Sequence, residues 1–202
     1  MNLSQETLDD GCIPPQKWFV DKILAHTQGF TLDCGSGRGL WSRKLRERGQ
    51  PVIGLDLSLR RLKRCKAEKN NEDVVQGSCT HLPFKSNSFD STLFIEVIEH
   101  IPDHLKSAAL QEIHRILQAD GLLTMTTPNK HVYSIINKIP FGFKHNPEHM
   151  GELTYREAKS LMERFFETVL VDGKVGGRIG RILDRFAPTS FCWDLLIVGR
   201  KR

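Results

Sequence analysis

The segment at residues 32–39 constrains the fold of this chain more than any other. A short apolar stretch ends at Asp33, three glycines follow at alternate positions, and a helix-like sequence opens at Leu40. A second apolar stretch then ends at Asp56. A strand, a glycine turn, a helix and a second strand that ends in an acidic residue form the usual cradle for a nucleoside-containing cofactor. The segment therefore predicts an α/β fold, and it leaves the identity of the cofactor open.

Apolar segments continue to alternate with amphipathic ones along the rest of the chain. Strands that alternate with helices predict a parallel sheet covered on both faces. The last two strands have no long helix between them, so they can pair antiparallel. Ser58 is predicted to cap a helix, and Asp120 and Gly121 to turn the chain before a strand. The predicted strands are 30–34, 52–56, 74–75, 89–97, 122–126, 168–171 and 193–198, and the predicted helices are 14–27, 40–48, 59–65, 105–116 and 158–166.

The composition is that of one ordinary globular domain. The chain has 202 residues, of which 39% are hydrophobic and 26% are charged. No apolar run reaches the ~20 residues that span a membrane, and the first residues lack the pattern of a signal peptide. Five scattered cysteines without a C-x-x-C pair favour reduced thiols in a cytoplasmic protein and argue against a structural zinc site.

Positive charge is unevenly spread along the chain, whose net charge is +5. Ten Lys or Arg lie between Arg38 and Lys66, against only Glu47 and Asp56. Such a face can attract RNA, an anionic membrane or an acidic substrate, although a pair of solvated helix surfaces is the more ordinary interpretation. A second basic stretch, amphipathic in pattern, can rest on a membrane, cover a pocket or form an ordinary surface helix. It holds Arg178, Arg181 and Arg185 opposite Ile179, Ile182 and Phe186.

The spacing of the glycines and four downstream segments carry a family resemblance. D-x-G-x-G-x-G at residues 33–39 differs from the G-x-G-x-x-G of nicotinamide-binding enzymes. Over nearly its whole length the chain resembles the class I S-adenosylmethionine (SAM) methyltransferases, in particular methyltransferase type 11 and the ubiquinone-pathway O-methyltransferases. The resemblance implies a Rossmann-like, seven-stranded, mostly parallel sheet with an antiparallel last strand and helices on both faces. The downstream segments are 55–58, 81–84 with 87–90, 96–103, and 121–129.

This resemblance implies SAM as the cofactor and assigns residues to it. Glycines let the backbone approach a ligand without a Cβ clash. Asp33 would orient the loop and help to hold the ammonium of SAM, Asp56 would accept both ribose hydroxyls, and Glu96 would lie near the methionine part. Where many relatives carry Asp and a small residue near adenine, this chain has Ser78 and Cys79. The implied cofactor residues are Asp33, Gly35, Gly37, Gly39, Asp56, Leu57, Ser78, Cys79 and Glu96.

Two histidines are candidates for the base that an oxygen acceptor requires, His100 and His149. His100 ends the pattern Glu96-x-x-Glu99-His100, which with a distant histidine is similar to two metal-assisted groups. These are the ubiquinone-pathway O-methyltransferases and the small-RNA terminal 2′-O-methyltransferases. The similarity implies that Glu96, Glu99, His100 and His149 hold Mg²⁺, Mn²⁺ or Zn²⁺. Alternatively, the segment is a common helix entry in which Glu99 and His100 are structural.

The acceptor remains the least constrained part of the function. We expect a single SAM-dependent methyltransferase domain over residues 1–202, with an N-terminal helical cap at 1–28 and an acceptor-site insertion at 130–150. The apolar and aromatic residues of that insertion suit a hydrophobic, phenolic or quinol-like small molecule, methylated at oxygen. The alternatives are an RNA or protein methyltransferase and a non-catalytic SAM-binding partner protein. The oligomeric state is left open.

Overall fold

Seven strands in the described residues form one sheet. The computed structural model describes residues 17–136, 149–174 and 189–202. The sheet order is β3-β2-β1-β4-β5-β7-β6, and every neighbouring pair is parallel except the two that β7 makes. This confirms the predicted mostly parallel sheet with an antiparallel last strand. The strands are β1 Thr31–Cys34, β2 Val52–Asp56, β3 Val74–Gln76, β4 Phe89–Ile95, β5 Leu117–Pro128, β6 Glu167–Lys174 and β7 Asp194–Arg200.

Six α-helices lie in the same residues; the first precedes β1, and the others lie between strands. Short 3₁₀ turns lie at Ile98–His100 and Thr189–Phe191. Ser58 accepts a hydrogen bond from the backbone N–H of Arg61 at 3.3 Å, which confirms the predicted cap. The helices are α1 Lys17–Ala25, α2 Leu40–Arg46, α3 Leu59–Ala67, α4 Asp103–Ile116, α5 Lys130–Ile136 and α6 Tyr155–Glu163.

Several boundaries differ from the prediction, and three of these differences concern turns or loops. β4 ends at Ile95 rather than at residue 97, because Glu96 adopts a left-handed φ of 55°. β5 begins at Leu117, so the predicted turn lies inside it, as an irregularity with φ 61° at Asp120. Helix α5 occupies the start of the expected acceptor-site insertion, for which no helix was predicted.

A hydrophobic cluster lies on each face of the sheet, and β4 contributes side chains to both clusters. Leu93 packs in a cluster with Ile23 of α1 and Leu45 of α2. Its neighbour Phe94 points to the other face and packs with residues of α4 and α6, among them Ile113. Successive side chains of a strand alternate between faces, and burial of each such side chain contributes about 1.5–3 kcal/mol. The two clusters fix the helices and thereby the loops at the strand ends.

The carboxyl ends of β1, β2, β4 and β5 meet at one edge of the sheet, where ligands of open α/β sheets bind. The antiparallel β7 begins at the same edge with Asp194, which pairs with Pro128. The last residues of these strands and the segments around this edge carry the twelve residues assigned above to the cofactor, to a base or to a metal.

Some predictions concern residues outside the described ranges. They are the start of the first helix before Lys17, the greater part of the acceptor region (residues 137–148) and the basic stretch around Arg181. The domain boundaries therefore stay predictions. Within the ranges described, none of the helices combines the length and the apolar character needed to cross a membrane.

Candidate active site

The turn after β1 is held open by glycines in left-handed conformations. The φ angles are 83° at Gly35, 53° at Gly37 and 80° at Gly39. A Cβ atom at Gly35 would overlap Val97, and one at Gly39 would overlap the Cys65 thiol, whereas one at Gly37 would meet no atom within 4 Å. We expected all three glycines to leave room for a ligand. Two of them make room for the protein's own side chains, and Gly37 alone of the three faces open space.

Asp33 is buried beneath this turn and holds the start of α2. Its Oδ2 atom accepts hydrogen bonds from the backbone N–H of Ser42 at 2.9 Å and from the Ser42 hydroxyl at 2.7 Å. Burial raises the pKa of the carboxyl to about 6, and the two bonds from Ser42 oppose that shift. The structure thus assigns Asp33 an orienting role, while a contact with the cofactor's ammonium stays a prediction.

Asp56, at the end of β2, bridges the two loops of the candidate cofactor site. Its Oδ2 accepts a hydrogen bond from the N–H of Gly37 and its Oδ1 one from the N–H of Ser58, both at 2.8 Å. The carboxylate is 6% exposed, and the next side chain, Leu57, is 72% exposed. A carboxylate and an exposed apolar side chain therefore lie side by side beside the open Gly37.

Ser78 and Cys79 follow β3 in a tight turn. The Ser78 hydroxyl lies 2.8 Å from the Thr80 hydroxyl and accepts from the N–H of Thr80 at 3.2 Å. The Cys79 thiol is half-buried, and desolvation raises its pKa to about 11. A neutral hydroxyl and a neutral thiol thus stand where many members of the resembled family carry a carboxylate.

Glu96 lies at the strained end of β4 and is tied to β5. Its Oε1 atom accepts a hydrogen bond from the Thr126 hydroxyl at 2.7 Å, and its N–H donates to the Thr126 carbonyl at 3.2 Å. A left-handed φ at a non-glycine residue costs about 1–3 kcal/mol and concentrates at functional sites.

Glu99, His100 and His149 bring three potential metal-ligand atoms within 4.8 Å of one another, although the two histidines are 49 positions apart in the sequence. The rings of the two histidines meet edge to face, with centroids 5.0 Å apart. Glu96 lies outside this group, so the structure assembles three of the four predicted metal ligands.

The Glu99 carboxyl is fully buried and only half satisfied. Its Oε2 atom accepts a hydrogen bond from the Thr127 hydroxyl at 3.1 Å. Its Oε1 atom has no hydrogen-bond partner within the described ranges, and the nearest imidazole nitrogen, Nε2 of His100, is 3.9 Å away. Desolvation is the main cause of the raised pKa of this carboxyl, and Asp194 and Glu152 add to it. A buried, unpaired carboxylate oxygen is costly unless a cation or a donor satisfies it.

Sequence reasoning missed three residues around this group. Glu152 bonds to His149, Thr127 bonds to Glu99, and Asp194, at the start of β7, adds to the raised pKa of Glu99. Thr127 was detectable, because it lies at the carboxyl end of a predicted parallel strand. The other two come from segments far apart in the chain, so only the folded sheet brings them to Glu99.

The glycine turn after β1, the acid that ends β2 and this sheet order define a Rossmann-like fold. Residues 32–125 match the family described as a methyltransferase domain. A SAM-dependent methyltransferase from Archaeoglobus fulgidus superposes with a TM-score of 0.71 over 98% of this chain and 100% of its own, at 18% identity.

Two curated relatives extend the comparison. A probable SAM-dependent methyltransferase of Mycolicibacterium smegmatis is 29% identical over 80% of this chain and 63% of its own length. A demethylmenaquinone methyltransferase of Renibacterium salmoninarum is 32% identical over 52% of this chain and 44% of its own. The chain thus spans less than two thirds of each relative. Slightly less than half of the chain is therefore similar to the methyltransferase-domain family, and its fold is that of a solved SAM-dependent methyltransferase.

Proposed function

We propose that the protein binds SAM at the carboxyl edge of its sheet and methylates a small molecule there, at an oxygen atom. The observation that carries this proposal is the presence of two sites at one sheet edge. One is the glycine turn beside Asp56, and the other is the group of Glu99, His100 and His149. The first has the character of a cofactor site and the second that of a site for proton transfer or metal binding.

The residues of the first site fit SAM. Gly37 leaves room for close approach, the exposed Leu57 can cover the flat face of adenine, and the Asp56 carboxylate can accept ribose hydroxyls. Asp33, Gly35 and Gly39 shape the turn from behind, and Glu96 would lie near the methionine part. Ser78 and Cys79 would border adenine without a charge. When bound, SAM supplies a methyl group on a sulfonium, whose departure leaves a neutral thioether.

The residues of the second site can handle the acceptor. Since the leaving group is neutral, this half of the site has mainly to orient the acceptor and exclude water. An oxygen acceptor must also lose a proton, which the imidazole of His100 or His149 can take near neutral pH. The exposed Ile135 of α5 suits a hydrophobic acceptor, and the match to a demethylmenaquinone methyltransferase supports a small molecule.

The second site also fits a divalent cation. Glu99 offers a buried oxygen without a partner in the part of the chain described, and two imidazoles lie beside it. One carboxylate with two imidazoles suits Zn²⁺ or Mn²⁺ better than Mg²⁺. A cation bound there would lower the pKa of an acceptor hydroxyl. We expect Zn²⁺ or Mn²⁺ to raise turnover and Glu99→Ala to abolish that effect. If no cation changes binding or turnover and Glu99→Ala is silent, the metal proposal is wrong.

Transfer of label from methyl-labelled SAM tests the function. Lipid extract, small RNA and total protein are offered in parallel, and we expect label in the lipid or small-molecule fraction. Label in RNA or protein would contradict the proposed acceptor class and support the alternatives of an RNA or protein methyltransferase. SAM binding without transfer to any fraction would contradict catalysis and favour a non-catalytic SAM-binding protein.

A further inference from the structure

His149 is backed by a carboxylate that no motif indicates. Its Nδ1 atom lies 2.8 Å from Oε1 of Glu152. Both side chains are shielded, with 11% exposure for His149 and 12% for Glu152. An ion pair or hydrogen bond shielded to this degree is worth more than the same pair on the surface.

The segment that carries both residues is fixed onto the turn that carries Glu99. The N–H groups of Met150 and Gly151 donate to the backbone carbonyl of Glu99 at 2.9 and 3.0 Å. The ammonium of Lys106, which is 3% exposed, donates to the Gly151 carbonyl and to Asp103. The segment also pairs with the end of β5, through a bridge between Leu153 and Asn129. These bonds hold the backbone near His149 in place, whereas the tautomer of its imidazole depends on the contacts of the ring nitrogens.

We propose that Glu152 is a positioning residue that selects the tautomer of His149. A neutral imidazole carries one N–H, and the hydrogen bond made by one nitrogen decides which nitrogen keeps the lone pair. With its N–H at Nδ1, donated to Glu152, His149 carries the lone pair on Nε2. In the proposed site, Nε2 is then the nitrogen that serves as a ligand or as a base. The inference rests on the proposed function, because it assigns His149 to the site.

The tautomer is measurable without any turnover. Long-range ¹H–¹⁵N correlation spectra of ¹⁵N-histidine-labelled protein, with His149→Gln to assign the signal, report which nitrogen is protonated. We expect the Nδ1–H form of His149 in the wild type. Finding the Nε2–H form at a pH where the ring is neutral would overturn the proposal, and this result requires no variant at position 152.

Two variants of Glu152 separate positioning from a merely structural role. Glu152→Gln keeps an oxygen acceptor of the same reach, so it should retain most of the Nδ1–H form, whereas Glu152→Ala should move the ring toward Nε2–H. The matched control is Glu163→Gln, because Glu163 is an exposed glutamate paired with Lys159. This variant should leave the tautomer of His149 unchanged. An unchanged tautomer in a folded Glu152→Ala variant would contradict the proposal.

A titration with Zn²⁺ or Mn²⁺ alone gives a second readout. Loss of a partner behind a ligating imidazole typically lowers metal affinity 10–100-fold. We expect that loss in Glu152→Ala, a smaller one in Glu152→Gln and none in Glu163→Gln. If His149→Ala abolishes metal binding or turnover while Glu152→Ala has no effect, the positioning role is wrong and the proposed site stands. If His149→Ala itself leaves both unchanged, the proposed site is wrong, whatever the tautomer.

Discussion

Asp33 gives the apoprotein an unusual dependence on pH. Its carboxyl has a pKa of about 6 in the folded state against 3.8 as the ordinary value. The folded state keeps the proton up to a higher pH than the unfolded state does. The contribution of Asp33 to the free energy of unfolding is therefore greatest below pH 4 and falls as the pH rises toward 6. The difference amounts to about 3 kcal/mol.

The substitution Asp33→Asn should remove the loss of stability that the Asp33 carboxyl causes as the pH rises. The neutral amide can still accept from Ser42, so we expect the stability of the variant relative to wild type to rise by about 3 kcal/mol between pH 4 and pH 8. Chemical denaturation of the unliganded proteins across this range measures it. Ser42→Ala removes a bond that favours the ionised form and should shift the window to higher pH. Parallel curves for wild type and Asp33→Asn would contradict the assignment.

Asp56→Ala should weaken SAM binding severely. Two hydrogen bonds that a carboxylate accepts from ribose hydroxyls are worth several kcal/mol, so we expect a loss of about 100-fold or more by calorimetry. Asp73→Ala, an exposed acid on the loop before β3, is the control and should bind as wild type does. Because Asp56 also holds Gly37 and Ser58, circular dichroism must show a folded variant. Unchanged affinity would count against the placement of the ribose.

The positions of single side chains were predictable only where one strand end determines them. Asp33 and Asp56 follow apolar strands, so their place at the sheet edge could be predicted, but the bonds from Ser42 and Gly37 could not. Glu152 carried no signal, because its relation to His149 becomes meaningful only when the segment docks on Glu99. Local patterns indicate which residues reach the edge, and packing decides what they bond to.

The β1–α2 turn predicts opposite outcomes for two of its glycines. Alanine at Gly37 meets only the backbone strain of a positive φ, which is about 1 kcal/mol. Alanine at Gly39 adds an overlap with the Cys65 thiol and should cost more than about 2 kcal/mol. We expect Gly37→Ala to lose SAM affinity with little loss of stability, and Gly39→Ala to unfold more easily.

A double variant tests the cause of the second effect. Cys65→Ala removes the overlapping sulfur, so Gly39→Ala with Cys65→Ala should be more stable than the sum of the single losses predicts. Thermal or urea unfolding measures the coupling. Equal losses at Gly37 and Gly39, with no coupling to Cys65, would contradict this account of the turn.

Among the elements, regular periodicity predicted best. The bounds of β2 were predicted correctly, since valine, isoleucine and leucine precede an acid at the sheet edge. Helix α5 was missed because its seven residues include a valine and two isoleucines, which favour strands. Its signal was Asn129, whose side chain accepts from the N–H of His131 at 3.2 Å as helix caps do. Helix α6 ends at Glu163, so Phe165 and Phe166 join the core from beyond its end.

Over the chain as a whole, charge is divided between a basic helical surface and an acidic sheet edge. Helix α3 holds five Lys or Arg and no acid. Tyr133, by contrast, has its pKa raised chiefly by burial, and then by Asp194, Glu96, Glu152 and Glu99. An anionic acceptor would be attracted to the basic helical surface, but the carboxylates at the sheet edge would repel it. A neutral hydroxyl, or an anion that a cation accompanies, suits this arrangement better.

The topology was predictable because parallel strands joined by helices leave few arrangements of the sheet. The acceptor was not, because fold does not determine function and the side chains that select an acceptor follow no fixed spacing. The motifs thus predict the candidate cofactor-binding residues, whereas the acceptor-binding residues have to be identified by experiment.

Calorimetric titration of the purified protein with SAM, and separately with NAD, tests whether SAM rather than a nicotinamide cofactor binds at this sheet edge. The account predicts one SAM per chain, bound with an affinity that the demethylated product S-adenosylhomocysteine shares within about tenfold, and no heat from NAD. A protein that binds NAD and ignores SAM would contradict it.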